Sequence, residues 1–146
     1  MANYTTSFLA VDLTYSSPLS GQFNLGAGAG NAEEGIVIEP VMPRAETTWG
    51  ADGGFIHAIK AARGAKITLS YLQNGSVLVR LNNVLLAELA SPTLAGNGVI
   101  TLRDRANGLN LSMLGVVFSE EPTTTYNNGA TILQYVLMAG KISTIY

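Results

Sequence analysis

The stretch VITLRDRANGLNLSML, residues 99–114, decides the fold class because two alternating segments flank a turn dipeptide. Asn107 and Gly108 are residue types that adopt the positive φ angles of a tight hairpin turn. On both sides of that turn, apolar side chains recur at every second position, which is the period of a half-buried β-strand. The apolar set then moves by one residue, which predicts a bulge or bend at Met113–Gly115. The stretch therefore predicts an antiparallel hairpin in a β-rich fold.

The same period of two extends over most of the chain. It predicts further strands in FLAVDLTY (8–15), QFNL (22–25), GIVIEP (35–40), KITLSYL (66–72) and ATILQYVLMAG (130–140). In the first of these, the apolar residues at positions 9, 11, 13 and 15 are expected to share one face. The C-terminal GKISTIY (140–146) also alternates, and it is either a final strand or an arm on a neighbouring subunit.

One segment has helical spacing instead. Its apolar stripe comprises Leu78, Leu81, Leu85 and Leu89. Ser76 is a suitable N-cap and Pro92 follows the end of the segment. No internal repeat or linker divides the chain. We therefore expect a single domain over residues 1–146 that is mainly β, with one α-helix at about 76–90.

The composition indicates a surface that is partly covered by partners. Charged residues make up 12% of the chain, against about 25% in an average soluble domain. Because small free domains usually stay soluble through charge, so low a value favours an assembly protein. The net charge of −2 gives no basic footprint for nucleic acid. Neither a secretory signal nor a membrane-spanning helix is expected, because the N-terminus lacks a basic region and the apolar runs are short.

The glycine-rich loop LGAGAGNAEEG (25–35) resembles a phosphate-binding loop only superficially. A dinucleotide fingerprint needs G-x-G-x-x-G followed by a helix, whereas this loop runs G-x-G-x-G and precedes a strand. Glu33 and Glu34 would also repel a phosphate. The glycines are better explained by close backbone approach or positive φ. We expect a structural loop.

No other motif predicts catalysis or a cofactor. The single His57 has no second His for a metal and no Ser or Asp pattern of a triad, and without cysteine the chain cannot form disulfides or use a thiol. The adjacent acidic pairs at 33–34 and 120–121 are expected to be solvated charge, because neighbours on a strand point to opposite faces. Trp49 and the tyrosines leave open a glycan- or peptide-binding module. We expect no catalytic residue, metal or cofactor.

Two glycine-containing blocks carry a resemblance to a known family. The chain reads FNLGAGAGNAEEGIVIE at 23–39 and WGADGGFIHA at 49–58, and AKITLSYLQNGSVLVRLNN follows at 65–83. In this succession the chain resembles the tail tube proteins of contractile-tailed bacteriophages. The likeness covers roughly the first 85 residues well, and the C-terminal part agrees mainly in strand order. The prolines at 40 and 43 depart from the more charged stretch expected there.

The resemblance implies a β-sandwich or partial β-barrel with one flanking helix. It implies that six copies form a ring, that the sheets of neighbours continue into one another, and that rings stack into a tube in the phage tail. The implied partners are other copies of the chain, a sheath protein outside, and a tape measure protein and DNA in the lumen, with no membrane. We expect a polar or acidic lumen, because cationic contacts would hold phosphates. A tail terminator or tube initiator ring protein is an alternative within the same architecture.

The resemblance also implies which residues form contacts between subunits. The loop 25–35 would lie at a ring interface, and the segment at about 40–54 would reach the adjacent ring. The expected contact residues are Gly26, Gly28, Gly30, Glu33, Glu34, Arg44, Glu46, Trp49, Asp52, Arg103 and Arg105.

Overall fold

The computed structural model describes residues 7–18, 21–26, 31–72, 77–106, 108–122, 129 and 131–145, without the side chains of residues 8, 31–34, 144 and 145. A 3-10 turn at Phe8–Ala10 precedes β1 (Val11–Ser17), β2 (Gly21–Asn24), β3 (Asn31–Pro40), β4 (Ala45–Trp49), β5 (Phe55–Ile59) and β6 (Ala65–Leu72). The helix α1 (Leu78–Ala90) is followed by β7 (Gly98–Asp104), β8 (Asn110–Glu120), β9 (Ile132–Ala139) and β10 (Lys141–Ile145).

Eight of the strands in the described part of the chain form one antiparallel sheet. Its order is β2-β1-β7-β8-β9-β6-β3, and β10 pairs with β8 as well. We call the part built from β2, β1, β7, β10 and the first half of β8 the front sheet. The part built from the second half of β8 with β9, β6 and β3 is the rear sheet. Because the path has two free ends, the sheet is a partial barrel rather than a closed one.

A bulge in β8 divides the two parts. Gly98 pairs with Val116 whereas Val99 pairs with Leu114, so one residue of β8 is left over. That residue is Gly115, whose φ of 65° suits glycine. The amide of Gly140, between β9 and β10, donates a 3.0 Å hydrogen bond to the carbonyl of Leu114. The predicted bulge at Met113–Gly115 is therefore confirmed.

The core lies between the inward faces of the two sheets. Its largest fully buried side chains are Tyr15, Tyr71 and Tyr135. Tyr15 packs against Phe23 with ring centroids 5.4 Å apart, and Tyr71 meets Tyr135 edge-on at 6.3 Å. Burial of these rings and of the aliphatic side chains around them stabilises the fold by about 25 cal/mol per Å² of apolar surface removed from water.

The helix packs on this core with a narrower face than its sequence predicts. Leu78, Leu81 and Val84 are buried, while Leu89 is 67% exposed. The predicted stripe is wrong at its C-terminal end because only the first half of α1 lies over the core. The side chain of Asn82 accepts a 2.8 Å hydrogen bond from the hydroxyl of Tyr135, which ties α1 to the rear sheet. Val77 occupies the N-cap, and the predicted cap Ser76 lies outside the described residues.

Three further expectations concern the strand ends. Leu9 does not share the inward face of β1, because it belongs to the preceding 3-10 turn and is mostly exposed. The 99–114 hairpin is confirmed, and the amide of Gly108 donates to the carbonyl of Asp104, so its loop is longer than two residues. Asn107 lies outside the described residues. The C-terminal segment is a final strand on its own chain, since β10 pairs with β8.

Candidate assembly interface

The segment between β3 and β6 forms a hairpin that pairs with itself. Strands β4 and β5 make a separate two-stranded sheet with Trp49 opposite Phe55 and Thr47 opposite His57. At the tip, the amide of Gly50 donates to the carbonyl of Gly54 over 2.7 Å, and Asp52 Oδ1 accepts from the amide of Gly54 over 3.0 Å. The segment at about 40–54, expected to be an inter-ring loop, therefore consists mostly of β4 and the turn of this hairpin.

The hairpin exposes large apolar side chains. Trp49 is 70% exposed, Phe55 62% and Ile59 83%. By the register, Trp49 and Phe55 lie on the face that also carries His57, whose ring is 5.0 Å from that of Phe55 and whose Nδ1 is 2.7 Å from Thr47 Oγ1. An isolated two-stranded hairpin is marginally stable in water, and a patch of this kind is typical of a protein contact. Trp49 was named from the sequence but β5 was not, because the residues of β5 (FIHAI) are apolar on both faces apart from His57 and therefore lack the alternation of the other strands.

Glu46 and Arg44, two of the charged residues expected at contacts, lie on the stem and at the base of this hairpin. Glu46 forms an ion pair with Lys60 at 3.1 Å, and both side chains are about half exposed. The carbonyl of Arg44 accepts a 2.9 Å hydrogen bond from the amide of Lys60, which closes the stem. Arg44 lines a cleft of about 390 Å³ at the base of the hairpin, together with Met42, Arg63 and Ile142.

The glycine loop is described only at its ends. A Cβ on Gly26 would lie 2.9 Å from the amide nitrogen of Leu13, so glycine there permits close approach to β1 of its own chain. Gly28 and Gly30 lie outside the described residues. Glu33 and Glu34 lie in a bulge of β3, between Asn31 opposite Tyr71 and Ile36 opposite Leu69.

The two arginines near the 99–114 hairpin differ in their surroundings. Arg105 forms an ion pair with Asp12 at 3.2 Å and donates a 2.8 Å hydrogen bond to the carbonyl of Leu9. It therefore fastens the β7–β8 loop to the start of β1 in its own chain. Arg103 is exposed on β7, opposite Asp12 in the register.

Open strand edges are the second feature that invites assembly. Among the described strands, β2 pairs only with β1 and β3 only with β6, so these two strands lie at the ends of the sheet. The outer edge of β10 has one isolated bridge, at Arg63. Unpaired edges are templates for pairing with another chain.

A groove lies between the end of α1 and the end of β8. It measures about 370 Å³, and Leu85, Leu89, Val117 and Phe118 contribute apolar lining. Glu88 Oε2 accepts a 3.3 Å hydrogen bond from the amide of Phe118, where β8 has passed beyond its pairing with β7. Desolvation by burial raises the pKa of Glu88 above its usual range. Glu120 and Glu121 also line the groove.

The described residues form neither a metal-binding cluster nor a membrane-spanning helix. Among the described residues, no three His, Asp or Glu side chains are grouped to hold a metal ion. No helix in the same ranges is long and apolar enough to cross a bilayer.

Comparison with known proteins identifies the family. The family model described as "Bacteriophage PhiTE tail tube protein" matches residues 1–146. Among curated protein sequences, none matches.

Solved structures share the fold at low identity. A chain of the anti-feeding prophage tube-terminating cap aligns with a TM-score of 0.56 at 13% identity, covering 99% of this chain and 93% of that one. A chain of the PVC extracellular contractile injection system sheath-tube complex aligns with a TM-score of 0.54 at 10% identity, covering 97% and 92%. A chain of the six-fold symmetrised anti-feeding prophage baseplate aligns with a TM-score of 0.59 at 9% identity, covering 99% and 97%.

The matched family is structural and non-catalytic, in agreement with the lack of a catalytic constellation in the sequence. Because the family model covers the whole chain, the protein belongs to the bacteriophage PhiTE tail tube protein family and is a structural component of the virion tail.

Proposed function

We propose that six copies of this chain close into a ring and that the rings stack into the inner tube of a contractile tail. A sheath protein surrounds the tube, and DNA and a tape measure protein occupy its lumen. The observation that carries the proposal is the self-paired hairpin with Trp49 and Phe55 exposed, together with the position of β2 and β3 at the ends of the sheet. The six-fold symmetrised baseplate and the sheath-tube complex that share this fold support the ring and the surrounding sheath.

The hairpin is the proposed contact between stacked rings. It projects as a separate two-stranded sheet, so it can reach beyond its own subunit without disturbing the core. Each aromatic side chain that enters a protein contact buries about 150–250 Å². With Glu46, Trp49 and Asp52, the hairpin holds three of the expected contact residues.

The outward face of the front sheet is the proposed wall of the lumen. The register aligns one residue from each of its five strands in a single row, which consists of Asn24, Thr14, Thr101, Ser112 and Ser143. Hydroxyl and amide groups bind water at such a wall, and because they are uncharged they do not attract phosphate. The charges on this face are few, with Asp12 opposite Arg103 and Lys141 near one edge.

The other surfaces fit protein contacts better than a water-filled channel. The outward face of the rear sheet exposes Val37, Leu72 and Ile132, and α1 exposes Leu86 and Leu89. The lumen of an emptied tube is the surface that needs no protein partner, so the polar face of the front sheet suits it best.

Electron microscopy of the purified protein over a range of concentrations, with mass by light scattering, tests the proposal. Six-membered rings or open-ended tubes are expected. Rings that never stack would favour a tail terminator or initiator, and the copy number per particle would separate these from a tube protein. A strict monomer that binds a glycan or peptide in a ligand screen would overturn the proposal in favour of a binding module.

A further inference from the structure

The groove at the end of α1 lacks a positive partner. Glu88, Glu120 and Glu121 contribute carboxylates to a lining that is otherwise largely apolar. No ion pair joins any of the three to a lysine, arginine or histidine in the part of the chain that the structure describes. A matching ligand would therefore carry apolar side chains followed by one positive charge.

The same chain carries such a segment. Val41, Met42, Pro43 and Arg44 follow β3, and all four are exposed. Val41 and Met42 are apolar, and Arg44 forms no ion pair with a described residue, unlike Lys60 and Arg105. The segment thus has apolar side chains that match the apolar lining of the groove, and one positive charge that matches its carboxylates.

The rear sheet keeps the two surfaces apart within one subunit. Its strand order is β3-β6-β9-β8, so the segment after β3 lies at one edge and the groove beside β8 lies at the other. Three strand spacings separate these edges, or roughly 14 Å. Complementary surfaces at opposite edges cannot meet in one copy, but they can meet between copies in a head-to-tail contact that closes into a ring.

We propose that Val41–Arg44 of one subunit lies in the groove between α1 and β8 of the next subunit, with the Arg44 guanidinium facing Glu120 and Glu121. The occupant of the groove is thus a second copy of this chain. The inference rests on the proposed ring and adds the residues that join neighbours within it.

Charge exchange tests this contact. Arg44→Glu, and separately Glu120→Lys with Glu121→Lys, should each raise the protein concentration needed for assembly at least tenfold. Mixing the two defective proteins should restore assembly, because alternating subunits then pair opposite charges at every interface. Lys141→Glu is the matched control, since it makes the same charge change on the polar face of the front sheet and should leave assembly unchanged.

Cross-linking gives a second readout. Because the chain contains no cysteine, only the introduced cysteines can react. Met42→Cys with Leu89→Cys, treated with a short bis-maleimide, should yield a ladder of covalent oligomers from assembled protein. Met42→Cys with Ser16→Cys should not. If the wild type forms tubes and Arg44→Glu also assembles normally, this contact is wrong and the proposed tube stands. The same holds if the wild type forms tubes and the Met42–Leu89 cysteine pair gives no ladder. A wild-type protein that never forms rings would overturn the proposed function itself.

Discussion

The hydroxyl of Tyr71 donates a 2.9 Å hydrogen bond to the main-chain carbonyl of Leu25. Both residues are fully buried, and they are separated by 46 positions in sequence. The bond joins the residue at the start of the glycine loop to the middle of the rear sheet. In turn, the amide of Leu25 donates to the carbonyl of Leu13, so the start of this loop is held between both sheets.

Replacing Tyr71→Phe should lower the free energy of unfolding by about 1–3 kcal/mol, because it removes the donor to a buried carbonyl. Urea denaturation followed by circular dichroism would measure the loss. Tyr135→Phe is the control, since its partner Asn82 is exposed and can bind water instead. Equal losses in the two variants would contradict a special role for the Tyr71 bond.

The alkaline stability of the fold should also depend on Tyr71. Burial raises the pKa of its hydroxyl well above the usual value of 10.0. The unfolded chain therefore loses this proton first, so stability should be intact below pH 10 and should fall as the pH rises above it. Unfolding measured between pH 8 and pH 11 should show a shallower decline in Tyr71→Phe than in the wild type.

Glu88→Gln should stabilise the isolated subunit at neutral pH. Desolvation raises the pKa of Glu88, so the folded chain holds this proton more tightly than the unfolded chain does. The wild type should accordingly lose stability as the pH rises through the raised pKa, and the variant should lack this contribution. We expect a rise in Tm of a few degrees at most at pH 7, and none at pH 3. A variant that is less stable at pH 7 would show that the charge is compensated.

Gly98→Ala should destabilise the fold by about 1–3 kcal/mol, because the core is already filled. An added Cβ would lie 2.9 Å from the Tyr15 hydroxyl oxygen and 2.9 Å from the carbonyl oxygen of Val116. Gly140→Ala is the matched control, with its nearest neighbour at 3.7 Å. Thermal unfolding of both variants would compare them, and similar values would count against steric crowding at Gly98.

Trp49→Ala and Phe55→Ala should abolish or weaken assembly without lowering the stability of the subunit. Both side chains are largely exposed, so their removal costs the monomer little, whereas an interface loses buried aromatic area. Light scattering would report assembly and thermal unfolding would report stability. Thr48→Ala is the control, because Thr48 lies on the other face of the hairpin, and this variant should assemble normally. If both aromatic variants form normal tubes, the hairpin is not a contact.

Thr101→Cys should mark the lumen. In assembled tubes it should react with a small maleimide but not with a maleimide coupled to a protein too large to enter the tube. Val79→Cys, exposed in the first turn of α1 and distant from the groove at the end of that helix, should react with both reagents. Disassembly should make the two cysteines equally reactive. If Thr101→Cys in tubes reacts with the large reagent as fast as Val79→Cys, the front sheet does not line the lumen.

Most strands could be predicted because alternation is a local property of the chain. The bulge at Gly115 could also be predicted, since a shift of the apolar set by one residue leaves a direct trace in the sequence. The helix could be placed, but its buried face could not be predicted in full. Leu89 has the correct spacing, yet the core does not extend beneath the end of α1.

The candidate contacts were predicted less well. Trp49 and Arg44 were named through resemblance to a family and remain predictions. Phe55 and Ile59 were not named, because β5 is apolar on both faces apart from His57 and does not show the alternation of a half-buried strand. Asp52 and Arg105 were expected to face a neighbour, and each also has a partner within its own chain. A short-range pattern cannot reveal such a partner when it depends on how the chain folds back.

The β-rich class, the helix at about 76–90 and the hairpin at 99–114 depend on residue types and short spacings, so they could be predicted from the sequence. The exposed surfaces depend on contacts between segments far apart in the chain, so they could be identified only in the folded structure. Strands far apart in sequence, such as β1 with β7 and β6 with β9, pair through packing of their inward faces. That pairing sets the free edges, aligns the polar row of the front sheet and puts Arg44 and Glu120 at opposite edges of the rear sheet.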